Sequence, residues 1–334
     1  MKPIALDAMG GDHMPRAAVV GAVRAAKEGV PVVLVGNAAT LQEELQKVDT
    51  TLPIYHAESV MGMEESASDV RRRKDSSIMQ GMNLVKTDVA SACVSMGHSG
   101  ATMAAALLVL GRLKGIERPV LLANIPVQRG YVALVDAGAN ADCRPVHLQQ
   151  FAVMGSAYAR AFYNKDNPTV GLISIGEEEG KGDELTRAAH QLIKETPGIN
   201  FYGNVEGRDL FKATTDVFVT DGFTGNVVLK LAEGEARELF RWIREAITSG
   251  GPLAKLGGQL LKPVLRGIAN RMDPSEVGAQ PLLGVNGYAF IGHGSSDERA
   301  VYNALHSAKR LVEAELLSKI EARVGKLEDK AVKN

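Results

Sequence analysis

A lysine between two glycines is the residue of this chain best suited to chemistry on an anion. Lys181 follows three consecutive glutamates, residues 177–179, and is flanked by Gly180 and Gly182. A lysine in this setting has no helix face to make soluble, so we expect its ammonium group to point into a crevice. There it would contact a phosphate group or a developing oxyanion. The three glutamates form either a solvated turn or charged surroundings that tune this lysine.

A second turn with groups suited to carbonyl chemistry spans Thr220–Asn226. Asn226 opens a predicted helix, where its side-chain amide either donates a hydrogen bond to a carbonyl oxygen or caps the helix. Asp221, earlier in the same turn, is either a catalytic group or a helix cap. We therefore take Lys181, Asn226 and Asp221 as the candidate catalytic residues.

These turns belong to a set of six, in each of which a short apolar run ends in a glycine-rich segment with small polar or charged residues. Apolar runs that feed such turns are typical of parallel strands in α/β proteins. Glycine lets backbone N–H groups approach a ligand closely, and the helix N-termini behind the turns favour anions. We expect the six turns to build one shared crevice at the strand ends for an anionic substrate. They are Asp7–Asp12, Ser95–Ala101, Asp136–Asp142, Ser174–Lys181, Thr220–Asn226 and Gly292–Asp297.

Candidates for phosphate or substrate binding lie in these turns and in one basic run. Aspartates in such turns either bind substrate or cap helices and close Asx turns. His98 can donate to an anion at a helix N-terminus, although a cap by Ser99 alone explains that turn equally well. The run Arg71–Lys74 is either a solvated surface or an electrostatic funnel for a phosphorylated or acidic substrate. The candidates are Asp7, Gly10, Gly11, Asp12, His98, Ser99, Gly100, Asn140, Arg73, Lys74 and His293.

Two turns come close to nucleotide-binding motifs and fail them. Residues 176–182 resemble a P-loop but are one residue short and lack the Ser or Thr that contacts Mg²⁺. Residues 292–297 supply two of the three glycines of a dinucleotide fingerprint, with Asp297 in the third place. The seven histidines are scattered without ligand spacing, and a Gly-x-Ser-x-Gly elbow is absent. We expect neither a metal nor a cofactor.

The elements that must position these residues alternate between strand and helix. This alternation predicts an α/β fold with three layers, α/β/α, and a mostly parallel sheet. Two apolar runs joined by Pro126–Gly130 predict an antiparallel hairpin within that sheet. Helices are expected at 16–28, 41–47, 102–113, 148–163, 184–196, 225–247 and 296–321. Strands are expected at 4–6, 32–35, 54–56, 89–94, 120–125, 132–135, 170–175, 201–205, 217–220 and 288–291.

Composition sets the broad class of the protein. The 334 residues are 45% hydrophobic, with a formal net charge of −1, so no global field favours nucleic acid. We expect one α/β domain over 1–334 in the cytoplasm, because the chain shows no signal peptide and no apolar run of spanning length. Cys93 and Cys143 have apolar, strand-like surroundings and no adjacent base, so free buried thiols are favoured over a catalytic cysteine.

The segment Gly250–Met272 departs from the pattern. It carries four basic residues and no acidic ones, with apolar residues at spacings of three and four. Pro263 predicts two short helices that meet near Lys262, because proline interrupts a helix. This protruding segment is either a helical hairpin at a subunit interface or an amphipathic surface that touches an anionic membrane or an acidic partner. The candidate contact residues are Leu256, Leu260, Leu261, Lys262, Val264, Leu265 and Arg266.

Taken together, the motifs resemble the acyl-carrier-protein-dependent phosphate acyltransferase (PlsX) family over nearly the whole chain. Several long motifs occur in the family's order, which makes the resemblance specific. Two segments depart from the family pattern: Met96–Ala101 has His98 beside its hydroxyl donor, and Val277–Ala279 stands where the family has Tyr-Gly-Gly. The matching motifs are Ala5–Asp12, Arg72–Ser77, Asp136–Cys143, Ser174–Leu185, Gly203–Asp209, Thr220–Asn226, Pro281–Gly287 and His293–Ser296.

The resemblance implies transfer of a fatty acyl group from the phosphopantetheine thioester of acyl carrier protein to inorganic phosphate. The product, an acyl phosphate, would feed a downstream acyl-phosphate:glycerol-3-phosphate acyltransferase in phospholipid synthesis. It also implies a homodimer, peripheral association with the membrane, and a fold similar to phosphotransacetylases and isocitrate or isopropylmalate dehydrogenases.

The candidate residues suit this reaction. A thioester is already activated, and phosphate is a competent nucleophile, so the enzyme needs to position two groups and stabilise an oxyanion. Our hypothesis is that Lys181 and Asn226 act at the carbonyl and phosphate, while Gly10–Asp12 and Gly97–Gly100 hold phosphate. Three alternatives remain: a small-acyl phosphotransacetylase that uses coenzyme A, a dehydrogenase of the isocitrate type, and a non-catalytic scaffold that recruits to membranes.

Overall fold

The structure, a computed structural model, describes residues 1–331, with side chains up to residue 325. The last three residues of the expected domain, 332–334, lie outside the described residues. Within the described part, one mixed sheet runs in the order β3-β2-β1-β4-β11-β10-β5-β6-β9-β7-β8. Its strands are β1 (Ile4–Asp7), β2 (Val32–Gly36), β3 (Ile54–His56), β4 (Ala92–Ser95), β5 (Val120–Pro126), β6 (Tyr131–Val135), β7 (Thr169–Ile173), β8 (Asn200–Val205), β9 (Val217–Val219), β10 (Ala279–Leu283) and β11 (Ala289–Gly292).

Helices cover both faces of this sheet, as the alternation of elements predicts. All seven expected helices are present, and the last of them is divided in two at Ala314–Glu315. The helices are α1 (Arg16–Lys27), α2 (Ala38–Lys47), α3 (Ser77–Lys86), α4 (Ser99–Val109), α5 (Pro145–Phe162), α6 (Glu184–Lys194), α7 (Gly222–Ser249), α8 (Gly251–Arg271), α9 (Glu298–Glu313) and α10 (Leu316–Ala331).

The two halves of the sheet run in opposite directions. Strands β1, β2, β3, β4 and β11 are mutually parallel, and so are β6, β9, β7 and β8. Between the halves, β10 is antiparallel to β11 and β5, and β5 is antiparallel to β6 in the predicted hairpin. The carboxyl ends of the two sets of parallel strands therefore lie at opposite edges of the sheet.

Strand β10 is the one strand that the sequence pattern did not predict. Pro281 lies at its centre, and proline is rare in interior strands because it has no N–H for the ladder. Against β5 the ladder comprises only Leu282↔Leu121 and Leu283↔Val120, and it stops before Pro281 is reached. Past that point β10 and β5 separate, and a cavity lies beside them.

The residues of β5 alternate between two cores. Val120 and Leu122 point to the core beneath α5, α9 and α10, whereas Leu121, Ala123 and Ile125 point to the core beneath α3 and α4. This period of two is the expected consequence of the strand backbone. The cavity lies on the face of β5 that carries Leu121, Ala123 and Ile125.

The segment 250–272 was predicted as two short helices, and this is wrong. Helix α8 runs unbroken from Gly251 to Arg271 with Pro263 inside it. Proline removes one hydrogen bond to the carbonyl four residues before it, here that of Gln259. Gln259 is exposed, so water can satisfy this carbonyl and the helix continues.

Helices α7 and α8 form an antiparallel hairpin that extends beyond the sheet. A Cβ at Gly258 would lie 2.2 Å from Cγ2 of Ile247, so the absence of a side chain lets the helices approach closely. Helix α7 has 28 residues, about 42 Å of helix, whereas β6 has five residues, about 17 Å of strand. No residue of α8 is buried. Among the described residues no helix combines the length and the apolar composition needed to cross a bilayer.

Candidate active site

The six glycine turns form two groups of three at opposite edges of the sheet. Residues from four of the six turns line one cavity, whereas the turns Asp7–Asp12 and Ser174–Lys181 do not contribute to its lining. The turns after β1, β4 and β11 are neighbours at one edge, which we call the β1 edge. The turns after β6, β9 and β7 are neighbours at the other, the β6 edge. The cause is the reversal of strand direction between β5 and β6. The hairpin that makes this reversal was predicted, but the parallel pairing of β9 and β7 beside β6 joins segments distant in sequence and was not.

At the β1 edge, Asp7 holds the turns together and is not free to bind phosphate. Its carboxylate is buried and accepts hydrogen bonds from the N–H groups of Met9 (3.2 Å) and Gly10 (3.3 Å) and from the hydroxyl of Ser95 (2.8 Å). Ser95 in turn accepts from the N–H of Gly97 at 3.1 Å. A buried carboxylate with these partners is a structural tie between two turns, and its role in substrate binding stays a prediction.

Close backbone packing explains the glycines of the same turns. A Cβ at Gly10 would lie 2.9 Å from Cα of Gly97, and a Cβ at Gly11 would lie 3.1 Å from the carbonyl oxygen of Met96. The N–H of Asp12 donates to the carbonyl of Gly294 at 2.8 Å, so the turns after β1 and β11 also meet. Part of the glycine signal therefore reflects packing between turns.

His98, Ser99 and His293 also lie at the β1 edge. His98 caps α4, because its Nδ1 accepts a hydrogen bond from the N–H of Ala101 at 3.1 Å, which leaves Nε2 as a donor. The hydroxyl of Ser99 makes no hydrogen bond with a described residue, and the N–H groups of Ser99 and Gly100 are in the first turn of α4, where helices leave donors unpaired. His293 is exposed, and its Nδ1 lies 2.9 Å from the hydroxyl of Ser295.

The two basic candidates from the run 71–74 behave differently from each other. Arg73 donates through one nitrogen to both carboxylate oxygens of Glu65, at 2.8 and 2.9 Å, so its charge is already paired. Its role in phosphate or substrate binding stays a prediction. Lys74 is exposed and makes no ion pair with a described residue.

At the β6 edge a buried carboxylate, Asp136, organises the turn after β6. It accepts hydrogen bonds from the N–H groups of Leu121, Gly138, Ala139 and Asn140 and from the side-chain amide of Asn140. The amide nitrogen of Asn140 also donates to the carbonyl of Pro119 at 2.8 Å. Asn140 was a candidate ligand, but both protons of its amide have partners in the structure.

Asp221 and Asn226 flank the first turn of α7 and have different roles. Asp221 caps the helix: its carboxylate accepts from the N–H of Thr224 at 2.8 Å and from the hydroxyl of Thr224 at 2.7 Å. Both oxygens accept hydrogen bonds in the structure, and its catalytic role stays a prediction. The side-chain amide of Asn226 makes no hydrogen bond with a described residue. It lies beside Gly138, where a Cβ would be 3.5 Å from Oδ1 of Asn226.

Lys181 lies in the exposed turn after β7, at the same edge as Asn226. The N–H of Lys181 donates to the carbonyl of Glu178 at 3.0 Å, and the buried amide of Asn204 donates to that carbonyl at 2.8 Å. Glu179 anchors the turn to α6 through Lys194 at 3.0 Å. The ammonium group of Lys181 makes no ion pair with a described residue, so it is available, although it does not line the cavity.

A single cavity of about 320 Å³ joins the two edges along the face of β5, and we call it the trough. Its floor is the apolar face of Leu121, Ala123 and Ile125, about 13 Å of strand. Helices α4 and α7 form its walls, with Met103 and Leu229 facing it. The lining includes Gly138 and Asn226 at the β6 edge and Ser99, Gly292 and His293 at the β1 edge.

Known proteins include relatives that are similar to this chain in sequence over most of its length. A protein-family profile described as "Fatty acid synthesis protein" matches residues 2–319. A protein of Thermus thermophilus named phosphate acyltransferase is 56% identical over 324 residues, which are 97% of this chain and 99% of its own length. One of Deinococcus radiodurans with the same name is 55% identical over 286 residues, 84% of this chain and 79% of its own.

This chain belongs to the phosphate acyltransferase family. The family consists of acyltransferase enzymes, in agreement with the resemblance described from the motifs. A solved phosphotransacetylase of Streptococcus pyogenes shares the fold, with a TM-score of 0.63 over 94% of each chain at 18% identity. The expected phosphotransacetylase-like α/β fold is thereby confirmed.

The cysteines of this phosphate acyltransferase family member are not activated as nucleophiles. Burial raises the pKa of Cys93 well above its usual range, and Cys93 is fully enclosed. Burial also raises the pKa of Cys143 to about 11, so both remain thiols at neutral pH. Within the described residues, no group of three or more His, Cys, Asp or Glu side chains is arranged to hold a metal ion.

The trough was not predicted from the sequence, and the buried Asp136 that shapes one end of it was not singled out as a site residue. The floor residues were assigned to a strand but not to a site, because apolar alternation is the same for a core and for an apolar cavity. Asp136 was part of a recognised turn, and its position directly after an apolar run was the available signal.

Proposed function

We propose that this protein transfers a fatty acyl group from the phosphopantetheine thioester of acyl carrier protein to inorganic phosphate. The observation that carries this proposal is the trough: an apolar floor about 13 Å long ends at the unpaired amide of Asn226. An apolar groove of this length suits an aliphatic chain, and an amide donor suits the carbonyl oxygen at its end.

The reaction needs few groups from the protein. A phosphate oxygen attacks the thioester carbonyl carbon, and the carbonyl oxygen becomes an oxyanion in the tetrahedral intermediate. The C–S bond then breaks, the electrons leave with sulfur as a thiolate, and the acyl group stays on phosphate. Asn226 and Lys181 stabilise the oxyanion and orient the phosphate, which is the role that pre-positioned donors and cations serve best.

The two-edge arrangement modifies our hypothesis about phosphate. A nucleophile reacts from about 3–3.5 Å, so groups at opposite ends of the trough cannot act on one carbonyl carbon. We place the reaction centre at the β6 edge, because Asn226 and Lys181 are both there and both unpaired. The turns Gly10–Asp12 and Gly97–Gly100 at the β1 edge then line the far end of the trough.

We also propose that the protein is a cytoplasmic homodimer that associates peripherally with the membrane, and the apolar surface of the α7–α8 hairpin supports the membrane association. Leu256, Leu260, Leu261 and Val264 are each more than half exposed, and Lys262 and Arg266 are exposed among them. Leu265 is less exposed. Such a surface suits an anionic bilayer, where acyl phosphate would pass to the downstream glycerol-3-phosphate acyltransferase.

A second candidate is a phosphotransacetylase that uses coenzyme A, which the shared fold favours. Thiol release with phosphate from palmitoyl carrier protein, palmitoyl coenzyme A and acetyl coenzyme A separates the two. We expect the palmitoyl carrier protein to be the best donor by kcat/KM. Preference for acetyl coenzyme A would overturn the proposal in favour of the second candidate.

A further inference from the structure

Three arginines surround one glutamate in a depression just before β5, and we call this surface the arginine patch. Its members are Arg112, Arg118 and Arg144, grouped around Glu117. Arg112 donates to the backbone carbonyl of Glu117 at 2.7 Å, and Arg144 pairs with its carboxylate. Arg118 is exposed and makes no ion pair or hydrogen bond with a described residue. The patch is therefore net positive on a chain whose formal net charge is −1.

A buried histidine contacts the same carboxylate oxygen of Glu117 as Arg144 does. His147 accepts a hydrogen bond at Nδ1 from the N–H of Arg144 at 3.1 Å, so its proton is on Nε2, which lies 3.2 Å from Glu117 Oε2. Burial lowers the pKa of His147, so it is neutral at neutral pH. With Glu117 engaged by Arg144 and His147, the charge of Arg118 faces solvent without compensation.

The arginine patch adjoins the trough at the β6 edge. Pro119 lines the patch and Leu121 lines the trough, two residues or about 7 Å apart along the chain. On α4, Leu107 lines the patch and Met103 lines the trough, and these two residues are one helical turn apart. The carbonyl of Pro119 is fixed by Asn140, whose turn also contains Gly138 beside Asn226. A flexible arm held at the patch can thus reach the amide of Asn226 over a short path.

Other basic surfaces are less suited to hold an acidic partner. The run 71–74 has four basic residues, but four acidic ones lie within residues 64–75 and Arg73 is already paired. Lys255, Lys262 and Arg266 of α8 are spread among exposed leucines on the hairpin, and Arg271 at the end of α8 donates to the carbonyl of Gln128 in the β5–β6 turn at 3.4 Å. The arginine patch combines an unpaired exposed arginine, Arg118, with a position beside the proposed reaction centre.

We propose that the arginine patch is the docking surface for an acidic carrier protein, whose phosphopantetheine arm passes over Pro119 into the β6 end of the trough. The phosphodiester of the arm and acidic side chains near its attachment point complement Arg118 and Arg112. This proposal rests on the proposed function, because it names the donor's path to the same site.

The test compares two charge reversals at the two ends of β5. Arg118→Glu alters the patch, and Arg129→Glu makes the same change in the exposed hairpin turn at the opposite end of the strand. The acyl donors in this test are palmitoyl carrier protein and palmitoyl pantetheine. Palmitoyl pantetheine lacks both the protein and the phosphate of the arm. We expect Arg118→Glu to raise KM for the carrier protein by about tenfold or more, with Arg118→Lys close to wild type.

Several readouts distinguish docking from a structural effect. Arg118→Glu keeps its kinetics with palmitoyl pantetheine, and the rise of carrier-protein KM with salt becomes shallower than in wild type. Arg129→Glu leaves the carrier-protein KM unchanged. The proposal is overturned if Arg129→Glu alone raises that KM, if Arg118→Glu leaves it unchanged, or if both donors suffer equally. Absence of turnover by wild type with either palmitoyl donor would instead refute the proposed function.

Discussion

At the scale of single residues, the turn carboxylates have structural partners, whereas the side-chain nitrogens of Asn226 and Lys181 are free for the proposed chemistry. The oxygens of Asp7, Asp136 and Asp221 accept hydrogen bonds from nearby backbone N–H groups, side-chain hydroxyls or, for Asp136, a side-chain amide. Asn226 and Lys181 have no partner for their side-chain nitrogen within the described residues. In a sequence, an aspartate and an asparagine in a turn are equally good candidates for a functional site. The structure distinguishes them because it shows which side chain already has hydrogen-bond partners nearby.

Replacing Lys181 by alanine should lower kcat by about a hundredfold or more, because the oxyanion or phosphate loses its cation. The exposed position of Lys181 means that the melting temperature should stay near wild type. Steady-state thiol release and a thermal melt measure the two effects. Lys86→Ala, an equally exposed lysine at the end of α3, is the control and should be unaffected. Turnover near wild type in Lys181→Ala would remove this residue from the mechanism.

A matched pair of substitutions tests which end of the trough holds the reaction. Asn226→Ala should reduce kcat/KM for phosphate by about a hundredfold, because it removes the proposed oxyanion donor. Ser99→Ala, at the β1 edge, should change that value by less than about threefold. The opposite ranking would move the reaction centre to the turns of Gly10–Asp12 and Gly97–Gly100.

At the scale of elements, the sequence predicted ten strands and the hairpin correctly because apolar runs, turn glycines and Pro126–Gly130 are local signals. Strand β10 was not predicted because Pro281 contradicts the usual strand pattern. Helix α8 was predicted as two helices because Pro263 contradicts the usual helix pattern. In both cases tertiary or solvent contacts compensate for the missing N–H. The strand order, and with it the division of the turns between two edges, depends on pairing between distant segments such as β6 with β9, which a local pattern does not reveal.

Substitution by alanine should change the free energy of unfolding in opposite directions at two glycines of α7. A Cβ at Gly225 would lie 1.8 Å from the carbonyl oxygen of Asp136, whereas a Cβ at Gly234 would meet nothing within 4 Å. Gly225→Ala should therefore reduce the free energy of unfolding by at least about 3 kcal/mol, because α7 must shift from β6. Gly234→Ala should increase it by up to about 1 kcal/mol through helix propensity. Denaturant titration measures both, and equal effects would contradict the packing of α7 described here.

At the scale of the whole molecule, the trough joins two edges of one twisted sheet, and the α7–α8 hairpin extends from one wall of it. The apolar face of β5, the unpaired groups at the β6 edge and the apolar hairpin beyond the sheet suit the proposed substrate, which is part anion and part lipid. The sequence pointed to Lys181 and Asn226 and to the surface of 250–272 as candidate sites, whereas the trough depends on the tertiary structure and was not predicted.

Membrane association should depend on the leucines of α8. Leu256→Glu combined with Leu260→Glu should weaken binding to vesicles with anionic lipid by at least about tenfold, because two apolar contacts are lost and negative charge is added. Flotation of the protein with vesicles measures the effect. Val89→Glu, an exposed apolar residue before β4, is the control. Equal flotation of wild type and the double variant would contradict a membrane role for this hairpin.

Acyl transfer to phosphate is tested most directly by supplying palmitoyl carrier protein and radiolabelled inorganic phosphate to the purified protein. We predict that carrier-protein thiol appears only when phosphate is present, with one labelled palmitoyl phosphate formed for each thiol released. Thiol release that is independent of phosphate, or that leaves no label in the acyl product, would contradict the account.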